Sequence, residues 1–303
     1  TFSGIWRSAM LSKQLQKDEI DIYHGLSHEL PKGIEKTNIK TVVTIHDLIF
    51  IRYPHLFKTI DRKIYYHKFL HACQIADHII AVSQQTKKDI IEFFSIPSEK
   101  ITVVYQGCHQ VFQSEANPQD KEAVRNCYQL PESYLLYVGS IEERKNLLTL
   151  LKSMKELPEQ HLVVIGHGKK YKKQCLQFIK DNKLSHRTHF LSGLSLTEMA
   201  AIYQSAEIMV YPSIFEGFGI PILEALFSKT PVITTKGGCF SESGGSHSYY
   251  INPLDVNELT QAIKHIQSDK DLRERMIEKG QQHAQKFTDD KIAQNLMNIY
   301  QSL

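Results

Sequence analysis

The stretch "YPSIFEGFGIPILEA" runs from Tyr211 to Ala225 and sets two glutamates, Glu216 and Glu224, on either side of a Gly-Phe-Gly turn. Pro221 suits the first turn of a helix, where its missing N–H costs nothing. A helix is therefore expected to begin near Ile220, with Glu224 in its first turn. The amides of Gly217, Phe218, Gly219 and Ile220 would line its N-terminus, which is a ready site for phosphate, and Gly217 and Gly219 let a ligand approach the backbone. Two carboxylates beside an anion should repel it. The conflict disappears if they accept hydrogen bonds from vicinal hydroxyls instead. A nucleotide sugar, with a hydroxyl-bearing ring at each end and a diphosphate between, is the ligand class that fits. Complementing the helix macrodipole would explain Glu224 alone, but not the pair.

Outward from this stretch, short β-rich runs alternate with helix-length segments, the pattern of parallel sheets flanked by helices. "DIYHG" (21–25), "TVVTIHD" (41–47), "HIIAVS" (78–83) and "ITVVYQG" (101–107) form a first series. "YLLYVGS" (134–140), "HLVVIGHG" (161–168), "THFLSG" (188–193), "EIMVYPS" (207–213) and "PVITTKGG" (231–238) form a second. The polar stretch "QSEANPQDKEAVRN" (113–126) between them reads as a linker. The expected architecture is α/β, with two Rossmann-like domains facing a cleft, spanning 1–112 and 113–287.

A second constellation follows the strand ending at Gly139. In "VGSIEERKN" (138–146), Arg144 and Lys145 are adjacent cations at a strand-to-helix loop. They read either as a solvated helix start or as partners of an anion, and with the Gly217–Ile220 amides they would neutralise a diphosphate leaving group. In "TIHDL", His46 stands at the end of an apolar strand, the edge where ligands of open α/β sheets bind; a structural histidine is the plainer alternative.

Other signals carry less. "GHGKKY" (166–171) has Tyr171 where a dinucleotide fingerprint needs its third glycine, and its lysines read as a solvated helix face. His24 and His28 lie in an expected loop without a zinc-binding context. "DKD" (269–271) imitates a metal-binding motif, but Ser268 or Asp269 reads better as a helix N-cap. No metal site is expected. The basic, aromatic segment from Arg52 to His71 is either a helix covering the sheet or a contact for an anionic lipid surface.

Composition narrows the class. Hydrophobic residues make up 42% and charged residues 23% of the 303, with a net charge of +3. This lacks the strong basic excess of a nucleic-acid binder, so none is expected as a partner. Five scattered cysteines without a CxxC pair fit a reducing compartment, and a cytoplasmic location is expected.

These motifs together resemble the family 4 retaining glycosyltransferases, which have the GT-B fold. "PSIFEGFGIPILEA" is similar to their E-x7-E signature; "YVGSIEERKNLLTLL", "THFLSGLSLTEMAAIY", "PVITTKGGCFSE" and "INPLDVNEL" follow in family order, and "TIHDL", "ADHIIAVSQQTKKDI" and "SEKITVVYQG" match upstream. The resemblance implies a hexosyltransferase that needs no metal or cofactor and uses a GDP- or UDP-linked sugar as donor substrate. The acceptor would be a saccharide or lipid-linked, in cell-surface polysaccharide or glycolipid synthesis, with peripheral contact at the inner membrane face. Glu216 would contact the donor sugar, Glu224 the ribose, and Arg144 and Lys145 the diphosphate. His46 would lie at the reaction centre, Gly193 and Leu194 would border the base, and the final helix (288–303) would cross back onto the first domain. Gly139-Ser140 departs from the Gly-Arg of many members and resembles an "RKN" subgroup, some of whose members use GDP-mannose. Nothing matches the family's opening strand and Gly-rich loop, so an incomplete N-terminal sheet is expected. An epimerase of the same fold and an inactive donor-binding fragment are the alternatives.

Overall fold

The computed structural model describes residues 10–303, which divide into two compact units: residues 10–106 with Asp289–Leu303, and Gly107–Thr288.

In the first unit, β1 (Ile22–Gly25), β2 (Lys40–Ile45), β3 (His78–Ala81) and β4 (Ile101–Val103) form a parallel sheet in that order. Its strands are apolar runs because both faces are covered. On one face Val43, Ile45, Ile79 and Ala81 pack with Ala72 and Cys73 of the helix Thr59–Ile75 and with Ile90 and Phe94 of the helix Gln84–Phe94. On the other, Val42, Ile80 and Val104 meet Ile299 of the helix Asp289–Gln301. Ser83 caps the helix Gln84–Phe94, its Oγ accepting from the Thr86 amide at 3.0 Å. His24 lies on β1 rather than in a loop. Its ring nitrogens are taken by the hydroxyls of Tyr300 (2.6 Å) and Thr44 (2.7 Å), which pins the last helix to the sheet.

The second unit has a six-stranded parallel sheet of order β10-β9-β8-β5-β6-β7. Its strands are β5 (Leu135–Val138), β6 (Leu162–Ile165), β7 (Thr188–Leu191), β8 (Ile208–Tyr211), β9 (Val232–Thr235) and β10 (Tyr249–Ile251). Every residue of β5, β6, β8 and β9 is buried. The chain runs outward from β5 to β7, then returns to pair β8 with the other side of β5. The strand order therefore reverses between β5 and β8, the switch point at whose carboxyl end ligands of open α/β sheets bind.

Two sequence expectations need correction here. The stretch 113–126 is not a linker, because Pro118–Cys127 is a helix. Asn117 Oδ1 accepts from the Gln119 amide at 3.0 Å, and Pro118 opens the first turn. It reads as polar because none of its residues is buried. The Asn-Pro pair is thus a cap and first helical residue rather than a turn. "INPLDVNEL" opens on the last residue of a strand, β10, that the alternation did not mark.

Candidate active site

The loops after β5 and β8 meet at the strand reversal. After β5 the chain passes Gly139 and makes a 3-10 turn, Glu143–Lys145, that ends at Asn146 in the left-handed region, φ 55°. Asn146 is buried, and its amide donates to the carbonyls of Pro212 and Pro253, tying this turn to the segments after β8 and β10. The Ile214 amide donates to the Arg144 carbonyl at 2.8 Å, locking the two loops together.

At the junction sits Glu216. Its Oε1 is 2.7 Å from Lys145 Nζ and 2.8 Å from Arg144 Nη1. It also accepts from Ser213 Oγ at 2.6 Å and Tyr211 Oη at 3.0 Å. The three charged side chains are only 11–13% exposed. Burial pushes the Glu216 carboxyl up, but Lys145, Arg144 and the hydrogen bonds outweigh it and hold it below the usual glutamate range. Tyr211 is fully buried, with Lys145 Nζ 2.6 Å from its hydroxyl and 4.9 Å from its ring centre. Burial and the Glu216 charge push its phenol well up, so it stays a donor. Behind the cluster, Cys239 Sγ donates to the Glu216 carbonyl at 3.1 Å.

The two cations are thus not a solvated helix start. Nor are they equivalent. The Arg144 guanidinium also bonds the Phe215 carbonyl and the Glu142 carboxylate (2.8 Å), so it braces the loop. Lys145 lies across Gly139, where an added Cβ would stand 3.6–3.8 Å from its Cδ, Cε and Nζ.

The helix after the Gly-Phe-Gly turn is Ile220–Phe227, with Gly219 as N-cap at φ 105°. A side chain there would be strained and would press on Ser243 Oγ and Ile222 Cδ1 at 3.3 Å. One expectation fails: Glu224 is past the first turn, and no acidic residue lies in it. Instead Glu224 Oε2 accepts from the buried Tyr203 hydroxyl at 2.7 Å. Burial raises its carboxyl above the usual range, with the Tyr203 hydrogen bond acting against that rise. The macrodipole explanation goes with it.

Gly193 and Leu194 follow β7, two strands from β5 at the edge of the sheet. His46 belongs to the first unit. Its Nε2 donates to the Leu26 carbonyl at 2.9 Å, so Nδ1 is the acceptor that meets the Gln106 amide at 3.1 Å. Beside it, His28 stacks on Phe69 at 4.3 Å. Among the described residues no group of three or more His, Cys, Asp or Glu side chains could hold a metal ion.

Sequence reasoning missed Tyr203, Tyr211, Ser213, Asn146 and Cys239. Tyr211 and Ser213 open the quoted stretch itself, where a tyrosine closing an apolar strand was a usable signal. Nothing local marks Tyr203.

A parallel α/β unit with charged loops at its strand reversal belongs to the nucleotide-handling folds. Comparison with known proteins narrows this. Residues 120–283, more than half of the chain, match the model of glycosyl transferases group 1, and residues 2–109 match Glycosyltransferase Family 4. The chain belongs to the glycosyl transferases group 1, within the two-domain GT-B fold. It is 28% identical over 289 residues to O-antigen chain mannosyltransferase B of Escherichia coli, covering 93% of this chain and 74% of that one. With O-antigen chain mannosyltransferase RfbU of Salmonella typhimurium the identity is 32% over 228 residues, covering 74% and 60%. The chain thus spans between three fifths and three quarters of these relatives' lengths. The fold is similar to that of Anabaena Alr3699/HepE, solved in complex with UDP, at a TM-score of 0.81 and 20% identity, covering 97% of this chain and 82% of that one.

Proposed function

We propose that this glycosyltransferase moves a hexose, with retention and without a metal, from a nucleotide diphosphate to an acceptor hydroxyl in polysaccharide synthesis. The observation that carries the reading is the convergence of Arg144, Lys145 and Glu216 at the strand reversal, beside the Gly217–Ile220 turn. The mannosyltransferase names of the two relatives support a mannosyl donor, GDP-linked by the "RKN" match, with UDP as the other base to test. That these relatives are transferases favours transfer over epimerisation.

In the proposed reaction the bond between the anomeric carbon and the diphosphate oxygen breaks. The acceptor oxygen bonds the same face of the sugar, and its proton passes to the departing phosphate oxygen. Lys145, with Arg144 and the Gly217–Ile220 amides, takes up the negative charge that develops there, which is where fixed charge contributes most. Glu216 spends Oε1 on its four donors and offers Oε2 to the sugar hydroxyls. Glu224 takes the ribose hydroxyls through Oε1, and Gly193 and Leu194 border the base. His46 is proposed to hydrogen-bond the sugar, which requires the Leu26 or Gln106 contact to yield. The protein's part is positioning and charge stabilisation.

The helix Thr59–Ile75 supports the peripheral membrane contact. Ile60 (73%), Ile64 (48%), Tyr65 and Tyr66 are exposed large side chains on it, beside the exposed Lys58 and Lys63. Apolar and basic groups interleaved on one helix suit an anionic bilayer surface. No described helix is long and apolar enough to cross a membrane.

The test is turnover of GDP-mannose and UDP-glucose in EDTA with a saccharide acceptor, following the anomeric proton by NMR. A product of the donor's own anomeric configuration supports the reading; inversion, or release of an epimerised nucleotide sugar, contradicts it.

A further inference from the structure

The Glu224 carboxylate is held by a group that no local pattern of the sequence marks. Tyr203 is fully buried in the helix Leu196–Ser205. Its backbone carbonyl accepts from Thr230 Oγ1 at 2.6 Å, and its ring stands edge-on to Phe112 with centroids 5.4 Å apart. The residue is anchored at both ends, so its hydroxyl has one place to be, 2.7 Å from Glu224 Oε2. Among the described residues Glu224 Oε1 has no hydrogen-bond partner, and the residue is half-buried.

We propose that Tyr203 is a positioning residue for nucleotide recognition, fixing one oxygen of Glu224 so that the other is presented to the vicinal hydroxyls of a ribose and ribonucleotides are selected. The proposal rests on the ribose role given to Glu224 above. Three physical arguments carry it. A glutamate has three side-chain torsions, and one hydrogen bond to an immobile donor removes most of that freedom before the ligand arrives, so less is lost on binding. A half-buried carboxylate without a partner tends to take up a proton, and a protonated carboxyl is a poorer acceptor for hydroxyl donors. The Tyr203 hydroxyl opposes that. Finally, a core-filling role needs the ring but not the hydroxyl: a phenylalanine would fill the same space without burying a polar atom that requires a partner.

The test uses the whole chain, with GDP and UDP and their 2′,3′-dideoxy analogues as probes in titration calorimetry. The unsubstituted protein is expected to prefer the ribonucleotide by about 10- to 100-fold, the worth of a hydrogen bond to a charged group. Tyr203→Phe should bring that ratio below about threefold while leaving affinity for the dideoxy analogue unchanged. Its residual preference should fade at a higher pH than in the parent. Adding Tyr203→Phe to Glu224→Ala should change the ratio no further, and this comparison holds even where the tyrosine substitution lowers stability. A full ribose preference in Tyr203→Phe, with Glu224→Ala having lost it, would overturn the positioning role and leave the Glu224 reading intact. A full preference in Glu224→Ala as well, or no preference in the parent, would overturn the Glu224 reading itself and the proposal with it.

Discussion

Lys145 Nζ lies 2.7 Å from Glu216 Oε1, and the two side chains are 12% and 11% exposed. The glutamate proposed to meet the sugar and the cation proposed to meet the leaving group thus neutralise each other in the free protein. The arrangement would let a carboxylate stand next to the proposed diphosphate site without repelling the anion, because its charge is already shared with Lys145 and Arg144. Removing one partner of such a buried set costs more than the set itself contributes, since a bare charge is left behind.

Glu216→Gln separates binding from chemistry. The amide keeps the shape and removes the charge, so Lys145 and Arg144 are released toward a diphosphate. Nucleotide diphosphate affinity is expected to hold or rise, while transfer falls by about 10²- to 10³-fold, as for loss of a group acting on the transition state. Parallel calorimetry and turnover assays check the split; a drop in both by the same factor would assign Glu216 to binding alone.

Gly166 tests the loop packing. An added Cβ there would stand 1.9 Å from the Gly139 carbonyl oxygen, whereas at Gly193 nothing lies within 4 Å. Gly166→Ala must push the Gly139–Lys145 loop away and should lower both melting temperature and nucleotide affinity. Gly193→Ala carries only the strain of its φ of 74°, about 1–2 kcal/mol. Thermal melts with and without nucleotide distinguish the two.

Stability should fall in acid through His28. Burial, with His46 close by, takes its imidazole from 6.5 down to about 3. The unfolded chain therefore binds the proton first as pH drops. The contribution of neutral His28 is complete above 6.5 and is lost as pH falls toward 3, at a slope of up to about 1.4 kcal/mol per pH unit. His28→Asn, which tolerates the positive φ of 63° at this position, should flatten that slope in urea unfolding followed against pH.

The exposed face of the helix Thr59–Ile75 predicts binding to vesicles. Ile60→Asp with Lys63→Glu should abolish co-sedimentation with phosphatidylglycerol vesicles and leave nucleotide affinity unchanged. Equal sedimentation of the parent with neutral and anionic vesicles, or with none, would remove the lipid contact.

All the strands but β10 were legible in the sequence, because parallel strands covered on two faces read as apolar runs, and "LLYV", "LVVI" and "IMVY" allow little else. The start of the helix at Ile220 was legible from Gly219 and Pro221, whose backbone constraints are local. The linker expectation failed because Asn117 and Pro118 mark a helix start as well as a turn, and only the absence of any buried residue made the helix resemble a linker. The pairing of Glu216 with Lys145 and of Glu224 with Tyr203 was not legible at all. The first joins the loops after β5 and β8 and depends on β8 returning to the side of β5 opposite β6, and the second joins the helices before and after β8; no local pattern encodes either.

The most direct measurement is calorimetric titration of the chain with GDP and UDP in EDTA, for the parent and for Lys145→Ala. The account predicts metal-free binding of one of the two nucleotides, weakened at least tenfold by the substitution, the effect of losing one charged hydrogen bond. Binding that needs a divalent cation, or that is equally tight in Lys145→Ala, would contradict a donor site built on the Arg144–Lys145–Glu216 cluster.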